Sequence, residues 1–143
     1  MTSNLTVKEI SASYGELALV ELPALACLKS LGWETANLFQ ESFGQDGTEG
    51  RLSAAEVILT RRLRAALERL NPGLPATAYE QAIEQITQHR ATQSPVQANR
   101  AFHQLLRDRV KVDLINDEGN PDTVELRIID WDNPNNNDFF VTQ

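Results

Sequence analysis

Residues 109–129 read RVKVDLINDEGNPDTVELRII. Val110, Val112 and Leu114 alternate with Lys111 and Asp113, and Val124, Leu126 and Ile128 alternate with Glu125 and Arg127. Successive side chains of a strand point to opposite faces, so a period of two describes strands with one apolar and one polar face. The segment between them, Asp117-Glu118-Gly119-Asn120-Pro121, is turn chemistry. The whole stretch predicts a β-hairpin.

Upstream of Arg109 the period becomes helical. Three segments open with a pairing in which a hydroxyl takes an orphan backbone N–H and a residue three positions on reaches back. The pairs are Ser53 with Glu56, Thr77 with Glu80, and Ser94 with Gln97, the last followed by Pro95 at a favoured first helical position. The first helix aligns Leu59, Leu63, Leu67 and Leu70 and ends before Asn71-Pro72-Gly73. The second aligns Tyr79, Ile83 and Ile86, and the third Ala98, Phe102, Leu105 and Leu106. An earlier short helix begins at Pro23, carries Ala24, Leu28 and Leu31, and stops at Gly32. Residues 34–52 lose periodicity and collect Gly44, Gly47 and Gly50, which predicts a surface loop.

Downstream, the polar run Asp132 to Asn137 leads into a last short strand, Phe139 to Thr142. Helices first and antiparallel strands after predict an α+β fold, with amphipathic helices covering one face of a small antiparallel sheet. The last strand meets the end of the sequence, which suggests a sheet left incomplete.

The 143 residues suit one globular domain. Lys plus Arg is 13 against 20 for Asp plus Glu, a net charge of −7 and the wrong sign for a free-standing protein that grips DNA by its phosphates. Any DNA contact is therefore expected to be local. The single cysteine, Cys27, lies in an apolar stretch and reads as a small buried hydrophobe in a reducing cytoplasm. No apolar run approaches the roughly 20 residues that cross a bilayer, and the first residues lack a signal-peptide layout.

Four segments together resemble the start of the R (restriction and motor) subunit of type I restriction endonucleases. They are ELPALACLKSLGW (21–33), RLSAAEVILTRRLRAALERLNPGLP (51–75), NRAFHQLLRDRVKV (99–112) and IIDWDNPNNNDFFVTQ (128–143). The resemblance lies in their order: an acidic residue before a Leu-Gly helix end, an Asn-Pro-x-Leu-Pro helix end, a Phe-His-x-Leu-Leu helix, and an Asp-x-Asp-Asn-Pro turn into a strand. It implies a nuclease domain of the PD-(D/E)xK type, normally followed by an ATP-driven DNA translocase and a helical region that docks on a methyltransferase. Implied partners are double-stranded DNA and the methyltransferase and specificity subunits, with Mg²⁺ and ATP as cofactors of the full enzyme.

In that family the catalytic acid and Glu-x-Lys are expected one and two strands beyond Gln143. No lysine follows Lys111, and no Walker A loop occurs in the chain. The chain by itself is thus expected to be inactive and to bind no ATP. One catalytic position carries over: Glu21 matches the glutamate near the first helix that completes a divalent-metal site in related nucleases. The competing reading is that Glu21 favours a helix N-terminus by its charge.

Asp113 with Glu125-Leu126-Arg127 mimics an Asp…Glu-x-Lys site, yet both acids sit on the polar face of the hairpin, where pairing with Lys111 or Arg127 accounts for them. Arginine also cannot play the lysine's part, being fixed in its charged form. The acids and amides from Asp130 to Asp138 read as a turn rather than a cation loop. His89 and His103 lack metal-ligand spacing, and His103 reads as a hydrogen-bonded structural residue. Arg61, Arg62, Arg64 and Arg69 are the candidate phosphate contacts, set against a domain-packing face for the same helix. The alternative function is a stand-alone acidic α+β interaction module without catalysis. A small metal enzyme using Asp113 and Glu125 is the weakest of the three readings.

Overall fold

A computed structural model describes residues 15–88, 93–116 and 118–143; His89 and Asp117 lie outside the described residues. In chain order the elements are a π-helical turn Leu17–Glu21, α1 Leu22–Ser30, β1 Glu34–Ala36, α2 Thr60–Leu70, α3 Ala76–Thr87, α4 Pro95–Asp108, β2 Val110–Ile115, β3 Pro121–Leu126, a 3-10 turn Pro134–Asn136 and β4 Phe140–Thr142. The fold class is α+β, as expected. Two compact units emerge, Ser42–Asn137 and the pairing of residues 15–41 with Asp138–Gln143.

The Ser42–Asn137 unit is built on the hairpin. β2 and β3 run antiparallel, with Val110 opposite Leu126 and Val112 opposite Val124. Their alternation works as expected: Val110, Val112 and Leu126 are buried while Lys111, Asp113 and Glu125 face solvent. α3 lies against β2, contributing Ala78, Tyr79, Ala82 and Ile86 to the buried cluster, and α2 adds Leu67. The small Ala78 and Ala82 let the helix approach the strand, while Tyr79 and Ile86 fill the flanks. Phe102 and Leu105 of α4 close the cluster from outside.

Two of the three expected helix starts differ from the sequence reading. At Ser94 the reciprocal box forms, with Gln97 N–H donating to Ser94 Oγ and Ser94 N–H donating to Gln97 Oε1. At Ser53 the same chemistry closes only a turn: Ala55 N–H donates to Ser53 Oγ, and Glu56 accepts from Leu52 N–H. The helix begins at Thr60 instead. At Thr77 no side-chain cap forms, because the chain enters α3 through extended Pro75 two residues earlier. A capping box satisfies orphan donors wherever its four residues turn, so it marks a turn and becomes a helix only where an apolar face follows at once.

The end of α2 is tied to the hairpin by one residue. Asn71 Nδ2 donates to the carbonyls of Leu67 and Arg127, both at 2.9 Å, and Asn71 Oδ1 accepts from Arg127 N–H at 2.7 Å. Its amide thus takes both backbone groups of a residue just past β3, as a neighbouring strand would. The Tyr79 hydroxyl donates to the Asn71 carbonyl at 2.7 Å, joining α3 to the same point.

Between α4 and β2, Arg109 adopts φ 74° and ψ 158°. It is the one non-glycine with positive φ among the described residues. That region suits glycine, and another residue there costs on the order of 1–3 kcal/mol.

The second unit is thinner. β1 pairs with β4 in parallel, Glu34 opposite Phe140 and Ala36 opposite Thr142, and the Trp33 and Phe139 rings stack with centroids 5.0 Å apart. Three corrections belong here. Residues 34–36, expected in a loop, form a strand, because Glu34 N–H and the Ala36 carbonyl find partners in Phe139 and Gln143 over a hundred residues away. The last strand joins this parallel pair rather than the antiparallel hairpin. Cys27, expected in the core, is exposed, since no residue of α1 is buried and a two-stranded pair offers too little surface to cover an apolar helix on all sides.

Candidate functional site

α2 presents two of its arginines, Arg61 and Arg62, to the loop that precedes it. Arg61 donates to the carbonyls of Gln45 at 2.5 Å, Gly47 at 3.2 Å and Thr48 at 3.4 Å. Gly50, at φ 73°, makes room for it: a Cβ there would lie 2.6 Å from Arg61 Nη2. Arg62 grips Glu49 with both sides of its fork, Nε to Oε2 at 2.8 Å and Nη2 to Oε1 at 3.1 Å. Glu49 is 7% exposed, so this carboxylate is buried and paired. Arg64 reaches Glu68 at 3.5 Å and Glu80 at 3.4 Å on open surface. Arg69 Nε donates to the Asn136 carbonyl at 3.3 Å.

The four arginines therefore do different things. Arg61 and Arg62 clamp the 42–59 loop, Arg69 holds the Asn-rich turn, and Arg64, itself half-buried, pairs with the exposed carboxylates of Glu68 and Glu80. Beside the clamped loop runs a cleft of about 630 Å³ lined by Leu52, Val57, Ile58, Thr60, Ile83 and Thr87 among others. Sequence reading missed Glu49, an acid among polar loop residues whose only signal is its partner in space. The expected reading of the Arg stretch as a packing face fits Arg61 and Arg62 in part, since what they hold is backbone and carboxylate rather than apolar surface.

The turn from Asp130 to Asn137 is organised around a single carboxylate. Asp130 Oδ1 accepts from the backbone N–H of Asp132 at 3.2 Å and Asn133 at 3.1 Å, and Oδ2 accepts from Asn136 Nδ2 at 2.9 Å. Asn137 returns the favour, donating Nδ2 to the Asp130 carbonyl and accepting from Asp130 N–H. These acids and amides bond to one another, as a turn requires. The Asn136 amide, then the Asn133 N–H, hold the Asp130 carboxyl below the usual carboxylate range; burial opposes them, and the Asp132 N–H and the Arg127 charge add to them.

A folded value below the unfolded one means that the ionised carboxylate stabilises the fold above the ordinary range, about pH 4, and that this contribution fades as pH falls through the depressed value. Asp130→Asn is expected to lower the melting temperature by several degrees at pH 7 and to flatten its decline as pH falls from about 5 through the ordinary carboxylate range and below it. Calorimetric scans across that interval with parallel slopes for the two proteins would refute this role.

On the outer face of the hairpin, Glu125 is approached by Lys111 Nζ at 3.2 Å and Arg109 Nη1 at 3.8 Å. Thr123 Oγ1 donates to Asp113 at 2.8 Å. Glu125 thus pairs across the strands as its register with Lys111 dictates. His103, expected to be a hydrogen-bonded structural residue, is exposed on α4.

Glu21 closes the π-helical turn and is half-buried. It does not sit at a free helix start: residues 17–20 before it are already helical, and the next backbone N–H, that of Leu22, donates to the Leu17 carbonyl. The dipole reading of Glu21 is corrected accordingly. Glu21 belongs to one compact unit and Arg61, Arg62 and Arg64 to the other. Among the described residues no three His, Cys, Asp or Glu side chains converge on a common point. A divalent metal needs several such oxygens, so these residues alone do not fit Mg²⁺. No helix among the described residues is long and apolar enough to cross a membrane.

Fold and site define an α+β region whose polar and charged groups are largely spent on holding its own loops and turns. The chain belongs to the family described as the type I restriction enzyme R protein N terminus, whose model matches residues 13–143. It is 30% identical over 125 residues to the type I restriction enzyme HindI endonuclease subunit of Haemophilus influenzae, an alignment covering 84% of this chain and 11% of that protein. The chain thus spans about a tenth of the length of the relative it matches. No solved structure matches it.

Proposed function

We propose that this chain is the amino-terminal part of the endonuclease and motor subunit of a type I restriction-modification enzyme, which hydrolyses phosphodiester bonds of foreign DNA with Mg²⁺ and ATP. The observation that carries this is the family match over residues 13–143. The identity to an endonuclease subunit supports it. The domain is of the PD-(D/E)xK nuclease type, and its decisive acid and Glu-x-Lys belong to sequence beyond these 143 residues. The 143 residues alone do not cut DNA or bind ATP; no Walker A loop and no lysine after Lys111 occur in them. Double-stranded DNA and the methyltransferase and specificity subunits are the partners, in the cytoplasm.

Within this reading Glu21 contributes one carboxylate to a metal site completed by other parts of the protein. π-helical backbone is rare and concentrates at functional sites, and here it ends on Glu21. Of the arginines, Arg64 is the most available to a DNA phosphate, because its present partners Glu68 and Glu80 are exposed and weakly held. Arg61 and Arg62 would have to release the loop first.

The test is isolation of the native protein that carries this segment, with its associated subunits, and assay of linear and circular DNA cleavage. A long polypeptide that copurifies with a methyltransferase and cuts only with Mg²⁺ and ATP is the expected result. A short native protein without cleavage would remove the nuclease reading. In the same complex, Glu21→Gln separates two roles for that carboxylate: lost cleavage with an unchanged melting temperature marks a ligand, and a lowered melting temperature with intact cleavage marks a structural residue.

A further inference from the structure

Arg109 keeps a backbone conformation that glycine alone enters without strain, at φ 74° and ψ 158°. Its side chain gains little within the fold in return. It is 44% exposed, and its ionic contact is the 3.8 Å approach to Glu125, an open pair of the kind that contributes almost nothing to stability. The other oxygen of the same carboxylate is taken by Lys111. Two cations therefore share one acid, and most of the guanidinium fork is unused.

The surroundings confine this positive spot to one end of the hairpin. Asp113, two residues along β2 on the same face, accepts from Thr123. Arg127, two residues beyond Glu125, turns to Asp130 at 3.6 Å. What remains is a planar fork beside an ammonium group, a pairing that suits a phosphate, with its several acceptor oxygens, better than one shared carboxylate.

We propose that Arg109 and Lys111 form a phosphodiester-binding site on the outer face of the hairpin, where a backbone phosphate of duplex DNA replaces the Glu125 carboxylate as their shared partner. This rests on the reading of the chain as part of a DNA-cutting subunit. The strain at Arg109 holds its fork beside Lys111, and Glu125 keeps the two cations ordered and partly neutralised until DNA arrives.

The test uses the 143-residue chain, titrated with a short DNA duplex at several salt concentrations by fluorescence anisotropy, with thermal unfolding of each variant in parallel. Arg109→Gly is expected to raise the melting temperature by several degrees, weaken duplex binding roughly tenfold and reduce the salt slope by about one. Lys111→Ala should weaken binding without raising the melting temperature. Glu125→Gln should tighten binding, the opposite sign.

The site is overturned if Arg109→Gly leaves affinity and salt slope unchanged, if its melting temperature does not rise, if Glu125→Gln fails to tighten binding, or if the unaltered chain binds no duplex. The nuclease reading fails separately: variants that respond as expected, beside a native complex that does not cut, would keep the site and remove that reading. A cutting complex with unresponsive variants would remove the site alone.

Discussion

Leu67→Ala is expected to destabilise the Ser42–Asn137 unit by about 2–5 kcal/mol, a large fraction of the 5–15 kcal/mol typical of a whole domain. Leu67 is wholly buried, among Ala78, Tyr79, Ala82, Ile86, Val110, Val112 and Leu126. Removing its branched end forfeits both the transfer of those methyl groups out of water and their contacts with a helix and a strand that cannot collapse into the gap. Both are pinned nearby, since the amide of Asn71 holds the helix end to Arg127. Urea unfolding should show a lower midpoint at nearly unchanged slope. Leu63, on the same stripe of α2, is only partly buried against this cluster, so Leu63→Ala should cost clearly less. Equal losses at the two positions would mean that the core has been placed wrongly.

Arg62→Ala is expected to cost about 2–4 kcal/mol, below the range for a fully buried pair because the Arg62 side chain keeps 24% of its surface in water. The loss comes from what is left behind. Glu49 stays nearly enclosed, with both oxygens deprived of the guanidinium that satisfied them. The loop from Ser42 to Leu59 should then loosen, visible as faster amide exchange around Thr48 and Glu49.

Pairing the change with Glu49→Gln identifies the cause. If the buried charge is the cost, the double variant recovers a good part of the loss. If it recovers nothing, the pair is not the source. The same variant addresses the role of Arg62 on DNA: lost stability with unchanged duplex affinity marks a loop anchor, and lost affinity with unchanged stability marks a phosphate contact.

Much of the architecture was legible in the order of residues because it is local. The alternation from Val110 to Ile128 needs only neighbouring side chains to define a buried and a wet face, and the hairpin stands where that alternation lies. The Ser94, Pro95 and Gln97 start was legible for the same reason: all of its hydrogen bonds close within four residues. The Asp130 turn likewise depends on partners at most seven residues away.

Wherever the partner is distant, the sequence was silent. Glu34 to Ala36 looks like loop because its ladder lies with Phe140 to Thr142. Glu49 looks like any polar loop residue until Arg62 is folded over it. Leu59, Leu63, Leu67 and Leu70 share one stripe in the sequence, and packing alone singles out Leu67 as the buried one. Cys27 looked buried because its neighbours are apolar, and only the thinness of its unit leaves it in water. Residue identity thus determined the family, the hairpin and the helical periods, which follow from propensity and near-neighbour pattern. The tertiary structure decided which charges hold the protein together and which stand exposed, because a charge acquires its role from the groups that surround it once the chain has folded.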